Sequence, residues 1–196
     1  NYFKFHNRLK NLPKPSGALV FYSALKKESV MKISSNHYQI VCEEFGSLFI
    51  SLSQEGDGRA PSGQITLIAS IFTPTQEWFE LEQDQYILKK NEYLHKISKV
   101  LEEKFNISSD DWLHRELSTP KSFERWTNRP RGIVGGLGQN PEIFGLFGLS
   151  SRTPFEGLWL CGDSIYPGEG TAGVSQSALM VSKQIVASKG MKNFNL

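Results

Sequence analysis

Short runs of β-branched and aromatic residues, separated by turn-forming residues, dominate the first part of the chain. Four such runs are Ser16–Leu25 (SGALVFYSAL), the segment HYQIVCEEF from His37, Leu48–Ser53 and Gln64–Phe72. Runs of this length rich in Ile, Val, Phe and Thr are typical of β-strands. The ten residues QEGDGRAPSG between the last two runs exceed a tight hairpin and predict a longer loop that could be functional. We therefore expect a mostly antiparallel sheet in this part of the chain.

The period of the hydrophobic pattern changes after Thr75. Apolar residues with Lys and Glu between them then recur near helical spacing, at Ile87, Leu94, Ile97, Leu101 and Phe105. Thr75 is placed to cap a helix, and the sequence NISSDDW that follows Phe105 is typical of a helix end. The pattern predicts one long helix or two short ones across Thr75–Phe105, packed on the sheet.

The segment from His114 to Gly148 is rich in charged residues at its start and in glycine at its end. So many helix breakers predict a strand or short helix that leads into an irregular loop. Within it, Gly135-Gly136-Leu137-Gly138 superficially resembles a dinucleotide-binding loop. That fingerprint needs a helix immediately after the glycines, and Asn140-Pro141 follows here, so we reject the dinucleotide interpretation.

The C-terminal part places an acid and several glycines between two apolar segments. The run Leu158–Cys161 is continuously apolar and bounded by glycines, which predicts a central parallel strand that is covered on both faces. Gly162 and Asp163 would then lie beyond the carboxyl end of that strand, where α/β sheets bind ligands. A helix is expected to begin near Ala172, with buried positions at Val174, Ala178, Val181 and Ile185.

Three interpretations compete for this segment. A phosphate-binding loop of the GxxxxGK[ST] type is excluded because no lysine occurs in the segment before Lys183. A plain connection between a strand and a helix remains open. The third is a flavin site: Asp163 would accept hydrogen bonds from the ribityl hydroxyls, and the positive helix start would face the electron-rich edge of the ring. The order and the types of the residues favour the flavin site.

Composition and charge remove several other classes of protein. The chain has 196 residues, with 22 basic against 20 acidic residues, so its net charge of +2 does not predict binding of nucleic acid. The two cysteines and four histidines share no ligand spacing, so we predict neither a metal site nor a disulfide framework. No apolar run reaches the roughly 18 residues of a membrane span.

The sequence LWLCGDSIYPGEGTAGVSQSAL resembles the C-terminal FAD-binding motif of the phytoene desaturase family, which includes carotenoid desaturases and isomerases among the amine-oxidase-like flavoproteins. SLFISLSQEGDGRAPSGQITLIAS and STPKSFERWTNRPRGIVGGLGQ also resemble this family, so the likeness extends from Ser16 to Ile185. The resemblance implies a mixed α/β fold: an incomplete Rossmann-like FAD-binding flavoprotein. It would contain a mostly antiparallel substrate-domain sheet with helices, plus the last strand and helix of the FAD domain.

Carried over by position, the resemblance assigns a set of FAD contacts. Asp163 would bind the ribityl chain, with Gly162 allowing close approach of the cofactor to the backbone, and Tyr166 and Pro167 would lie beside the ring. The backbone contacts to the pyrimidine edge would come from Gly170, Thr171, Ala172, Gly173 and Val174. Gln176 and Ser177 depart from the family pattern, which leaves the helix contacts at these two positions open. The resemblance identifies no catalytic residue.

The resemblance also implies a division into parts. Residues 1–150 would be a partial substrate-binding domain, 151–190 the C-terminal strand, turn and helix of the FAD domain, and 191–196 a tail. The chain lacks the GxGxxG unit with which the family begins, and it does not begin with Met. We therefore expect it to be the C-terminal part of a longer protein, with any targeting signal upstream. By itself it is expected to be inactive and to bind FAD weakly or not at all.

The implied reaction is the desaturation or cis–trans isomerisation of a hydrophobic polyene in the plastid or at thylakoids, with peripheral membrane contact and no span. Phe144, Phe147 and Phe155 could line an apolar tunnel, although simple packing is the more common explanation of such residues. Glu169 is the residue to test for proton handling, and Arg129 and Arg131 are expected to be structural. The alternatives are an amine oxidase-like enzyme that acts on a small substrate and a non-catalytic module of the same fold.

Overall fold

The computed structural model describes residues 2–31, 33–138 and 147–190. By its internal contacts the chain divides into two compact units. One, the sheet unit, is Gly17–Ile133. The other, the C-terminal unit, combines Asn1–Ser16 with Val134–Leu196. The division into a substrate-binding part and an FAD-binding part at residue 150 stays a prediction, because contacts alone do not assign a function to either unit.

A five-stranded sheet forms the centre of the sheet unit. Its strands follow the order β2-β3-β4-β1-β5, and β1 with β5, β2 with β3 and β3 with β4 pair antiparallel. The four strands expected from the first part of the sequence are confirmed, and β5 adds an edge. The strands are β1 (Ser16–Lys26), β2 (His37–Cys42), β3 (Gly46–Leu52), β4 (Gln64–Pro74) and β5 (Trp112–Ser118).

The described part of the chain contains five α-helices. The region that predicted one long or two short helices contains one short and one long helix, and Asn106 ends the long one in the left-handed conformation that commonly closes helices. Thr75 is the N-cap residue of the short helix, but its side chain does not cap it. The helices are α1 (Tyr2–Lys10), α2 (Gln76–Phe79), α3 (Gln83–Phe105), α4 (Pro120–Thr127) and α5 (Gly170–Ser188).

The core of the sheet unit lies between one face of the sheet and helix α3. Alternate residues of the strands point inward because side chains of a strand alternate between its two faces. Ile97 and Leu101 of α3 are fully buried against them, whereas Ile87 is 44% exposed. The strand residues of this core are Leu19, Phe21, Leu25, Leu48, Ile50, Leu52, Ile65, Leu67, Ala69, Ile71 and Leu117.

The long loop between β3 and β4 is organised around Asp57. Its carboxylate accepts hydrogen bonds from the backbone N–H groups of Gln54 and Arg59, at 2.7 and 2.9 Å, and from Arg59 Nε at 2.7 Å. Arg59 also donates to the carbonyl oxygen of Leu52, so the loop is tied back to the end of β3. The loop expected from the sequence is therefore a folded turn.

These contacts give a testable titration. The Arg59 side chain, followed by the two backbone N–H groups, lowers the pKa of Asp57 from 3.8 to about 2. Because the folded pKa is the lower one, the stabilisation of the loop is present above pH 3.8 and is lost as the pH falls through about 2. An NMR titration should report this pKa, and Arg59→Gln should move it back towards 3.8. An unchanged pKa in Arg59→Gln would contradict the assignment.

The C-terminal unit confirms one predicted element and corrects another. Helix α5 forms two residues earlier than the predicted start at Ala172, with Val181 buried but Ala178 exposed. The predicted strand Leu158–Cys161 is wrong: the run forms only an isolated bridge between Arg152 and Trp159, and Leu158 is 49% exposed. A short apolar run indicates burial but does not specify a partner for its backbone, and no described strand pairs along it.

None of the helices in the described ranges combines the length and the apolar character that crossing a bilayer requires.

Candidate functional site

The glycine-rich segment 162–169 forms a compact turn that leads directly into α5. Gly162 has a φ of 116°, a backbone conformation that residues with side chains rarely adopt. No other heavy atom lies within 4 Å of the position that a Cβ would take there. The peptide bond between Tyr166 and Pro167 is cis. The turn therefore presents bare backbone at its first residue, as the sequence interpretation requires.

Ser177 anchors the beginning of this turn. Its side chain is fully buried within α5, and its Oγ accepts a hydrogen bond of 2.7 Å from the backbone N–H of Gly162. The sequence identified Ser177 only as a small residue that departs from the family pattern. The spacing between Gly162 and Ser177 matches no known motif, so the sequence did not predict this contact, which depends on the turn packing against α5.

Asp163 lies half-buried next to Gly162. The hydroxyl of Ser164 donates to its Oδ1 at 3.3 Å, and the same hydroxyl accepts a hydrogen bond of 3.0 Å from the backbone N–H of Leu137. Asp163 is thus connected through Ser164 to a loop that lies well upstream. Sequence reasoning missed Ser164 and this loop because a serine after an aspartate is not a distinctive signal.

The start of α5 is exposed and has no side-chain cap. Gly170, Thr171 and Ala172 are exposed, while Gly173 and Val174 are half-buried. Gly170 has a φ of 85° and open space where a Cβ would stand. An uncapped helix start carries N–H donors and a partial positive charge that suit an electron-rich partner.

Gly173 has a different role from Gly170. A Cβ at Gly173 would collide with the carbonyl oxygen of Gly168, so the absence of a side chain lets the helix start pack against the turn. The predicted FAD contacts of this region are therefore of two kinds: Gly162 and Gly170 face open space, and Gly173 closes the turn. Whether these residues bind a cofactor remains a prediction.

Two pockets flank α5, and neither includes its first turn. The smaller pocket, about 340 Å³, is lined by Tyr166, which is 42% exposed, and by Ile165, Met180 and Gln184. The larger, about 770 Å³, lies along the C-terminal half of the helix and is lined among others by Arg152, Phe155, Leu158, Trp159 and Lys189. Pro167, which was expected beside the ring with Tyr166, is half-buried and lines neither of these pockets.

The other candidate residues have distinct positions. The carboxylate of Glu169 lies directly over Gly135. The backbone N–H of Arg131 donates to Glu124 Oε1 at 2.7 Å and that of Arg129 donates to Thr127 Oγ1 at 3.3 Å; the structural role of the two side chains stays a prediction. Phe147 and Phe155 are 68% and 49% exposed, so they do not enclose a tunnel in the described residues, and Phe144 lies outside those residues.

No group of three or more His, Cys, Asp or Glu in the described ranges could hold a metal ion.

Comparison with known proteins gives consistent relatives. No family model matches the chain. Prolycopene isomerase of Arabidopsis thaliana is 29% identical over 153 residues, which cover 76% of this chain and 26% of the relative. The enzyme of Daucus carota is 30% identical over 151 residues (76% and 24%), and isomerase 1 of an Oncidium hybrid cultivar is 32% identical over 153 residues (76% and 26%).

The chain spans about a quarter of the length of the curated relatives it matches. All of these relatives are named chloroplastic, in agreement with the plastid location expected from the resemblance. Each alignment covers 76% of this chain, and all of the matched relatives are named prolycopene isomerases. Over about three quarters of its length, the chain is therefore similar to the corresponding part of prolycopene isomerases.

Proposed function

We propose that the full-length protein containing this chain is a plastid FAD-dependent enzyme that isomerises a carotenoid-like polyene. The open backbone at Gly162 and Gly170, beside Asp163 and the uncapped start of α5, carries this proposal. The names of the relatives favour isomerisation over desaturation. No described feature favours a small amine substrate or a non-catalytic module.

The residues of the turn fit the cofactor. A Cβ at Gly162 or Gly170 would project into open space, so a flat ring or a ribityl chain can approach the backbone at both positions. Asp163 would accept hydrogen bonds from ribityl hydroxyls, and the N–H groups of Thr171 and Ala172 would stabilise negative charge on the ring. When bound, FAD would supply reversible electron transfer to the polyene, with no net redox change in an isomerisation.

The sheet unit offers an apolar surface suited to a polyene. Phe49 and Phe72 are 49% and 63% exposed on the face of the sheet opposite the core. Phe49 pairs with Ser70, so Phe72 is its diagonal neighbour on the same face. Tyr22 of β1 also points to this face. Exposed aromatic residues on one face are typical of a surface that binds an apolar partner.

Two measurements test the proposal. The full-length protein should retain FAD through gel filtration, and cells that lack it should accumulate cis-carotenoids. Accumulation of less desaturated precursors would instead identify a desaturase. A flavin-free full-length protein, or an unchanged pigment profile, would overturn the proposal. The isolated chain of 196 residues should lose flavin under the same conditions.

Peripheral contact with a membrane belongs to the same proposal, and α1 is the surface that we assign to it. Helix α1 contains Lys4, Arg8 and Lys10 and no acidic residue. Tyr2 and Phe3 on it are 59% and 76% exposed, and the Tyr2 ring contacts Phe155 with centroids 4.9 Å apart. Cations beside exposed aromatic rings suit an anionic lipid surface.

Removing two of these charges should weaken membrane binding. Each lysine near an anionic surface contributes about 1 kcal/mol, so Lys4→Ala/Lys10→Ala should reduce binding of the full-length protein to anionic vesicles roughly 30-fold at low salt. Flotation with anionic and neutral vesicles measures the effect. The matched control is Lys99→Ala/Lys104→Ala on α3, which should bind as the wild type does. Equal losses in both double variants would contradict the assignment to α1.

A further inference from the structure

The loop Gly135–Leu137 packs against the proposed flavin turn. Both glycines have left-handed backbones, with φ of 81° and 80°. The N–H of Leu137 donates to Ser164 Oγ at 3.0 Å, across 27 positions of the sequence. The glycine pattern that resembles a dinucleotide loop is therefore used for contact with another segment of the chain.

The loop approaches the turn closely at both glycines, and at Gly136 it approaches backbone atoms that cannot move aside. A Cβ at Gly136 would stand 2.8 Å from the carbonyl carbon of Asp163 and 2.8 Å from both the backbone nitrogen and the Oγ of Ser164. A Cβ at Gly135 would collide with Oε2 of Glu169. The loop thus contacts both the first part of the turn, at Asp163, and its last part, at Glu169.

The turn is held from a second side by α5. Ser177 accepts the Gly162 N–H at 2.7 Å, and Gly173 allows the helix start to pack against Gly168. Ser164 accepts from the loop and donates to Asp163 Oδ1, so it connects the loop to the carboxylate by hydrogen bonds. The orientation of the Asp163 carboxylate therefore depends on the loop as well as on the helix.

We propose that Gly135–Leu137 is a positioning loop for the cofactor site: it orients the Asp163 carboxylate through Ser164 and holds the Glu169 carboxylate at Gly135. The inference rests on the proposed function, because it assigns to this loop a role in binding the same flavin. The loop Gly135–Leu137 contributes no group to the reaction itself. It makes cofactor affinity depend on a segment that precedes the turn.

The first test compares two alanine variants of the full-length holoprotein. Gly136→Ala adds both left-handed strain and the collision with Asp163 and Ser164, whereas Gly157→Ala, at a φ of 77° with open space around its Cβ site, adds only the strain. We expect flavin binding at least about tenfold weaker in Gly136→Ala, with a shifted flavin absorption spectrum, and near wild-type binding in Gly157→Ala. Equal flavin affinity in the two variants would overturn the positioning role.

A double-mutant cycle tests the contact at Glu169. Gly135→Ala should lower the melting temperature, because its backbone is left-handed and because the Glu169 carboxylate must move aside. Glu169→Ala should remove only the second part of that loss in the double variant. Additive losses would overturn the contact. The cycle is measured on protein without flavin, so it remains decisive if the wild type proves to bind none. A flavin-free wild type would overturn the proposed function, whereas wild-type flavin affinity in Gly136→Ala would overturn the positioning loop alone.

Discussion

Replacement of Trp78 by alanine is expected to lower the free energy of unfolding by about 3–5 kcal/mol, because it empties the largest fully buried site of the sheet unit. The Trp78 ring packs against Tyr86 and Tyr93, with centroids 6.1 and 5.7 Å away, and Lys89 Nζ lies 4.9 Å from its centroid. Its Nε1–H donates to the buried Thr73 hydroxyl at 2.9 Å. Denaturant unfolding followed by circular dichroism measures the loss.

Two further tryptophan variants serve as comparisons for Trp78→Ala. Trp126 is 78% exposed, so Trp126→Ala should change the free energy of unfolding by no more than about 0.5 kcal/mol. Trp78→Phe keeps one aromatic ring in the site but leaves a smaller cavity and removes the bond to Thr73, so it should fall between the two. A loss below about 1 kcal/mol in Trp78→Ala would contradict the burial seen at this site.

The second large effect concerns the cofactor. Asp163→Ala in the full-length protein is expected to weaken FAD binding roughly 10- to 100-fold, since a hydrogen bond to a charged group contributes about 1.5–3 kcal/mol. Flavin absorbance retained after gel filtration and a fluorescence titration of the apoprotein measure this loss. Asp163→Asn should lose less, because the amide oxygen still accepts a hydrogen bond.

The control for Asp163 is an exposed acid of the same unit. Glu156→Gln removes a negative charge without touching the turn, so flavin binding should remain at the wild-type level. The melting temperature of each variant without flavin separates lost affinity from lost folding. Full flavin occupancy in Asp163→Ala would exclude this carboxylate as a ribityl ligand and would leave the turn as a plain connection.

Strands and helices were predictable wherever local pattern and burial agree. In β4, the Ile, Phe and Thr content predicted a strand, and alternate residues from Ile65 to Thr73 are buried on the core face of the sheet. In α3, the spacing of Ile97 and Leu101 matched the buried stripe, but Ile87 is exposed although it fits the same period. Periodicity predicts which residues share a helix face, and the extent of the neighbouring sheet determines how many of them are covered.

The apolar run Leu158–Cys161 was not interpretable in the same way. Its composition matched a buried parallel strand, yet Trp159 forms only a single bridge with Arg152. A strand is defined by the hydrogen bonds of its backbone to another strand, and that partner is not encoded in the run itself. Helix α5 was predictable because a helix satisfies its backbone hydrogen bonds internally.

The periodicities and turn residues of the sequence by themselves determined an antiparallel sheet, the helices that follow it and a glycine-rich turn before α5. Tertiary structure alone decided what surrounds that turn. Ser177 reaches Gly162 from within the helix, and Leu137 reaches Ser164 from 27 positions away. Contacts of this kind depend on how two distant backbones approach each other, and neighbouring residues along the chain carry no periodic signal of that approach.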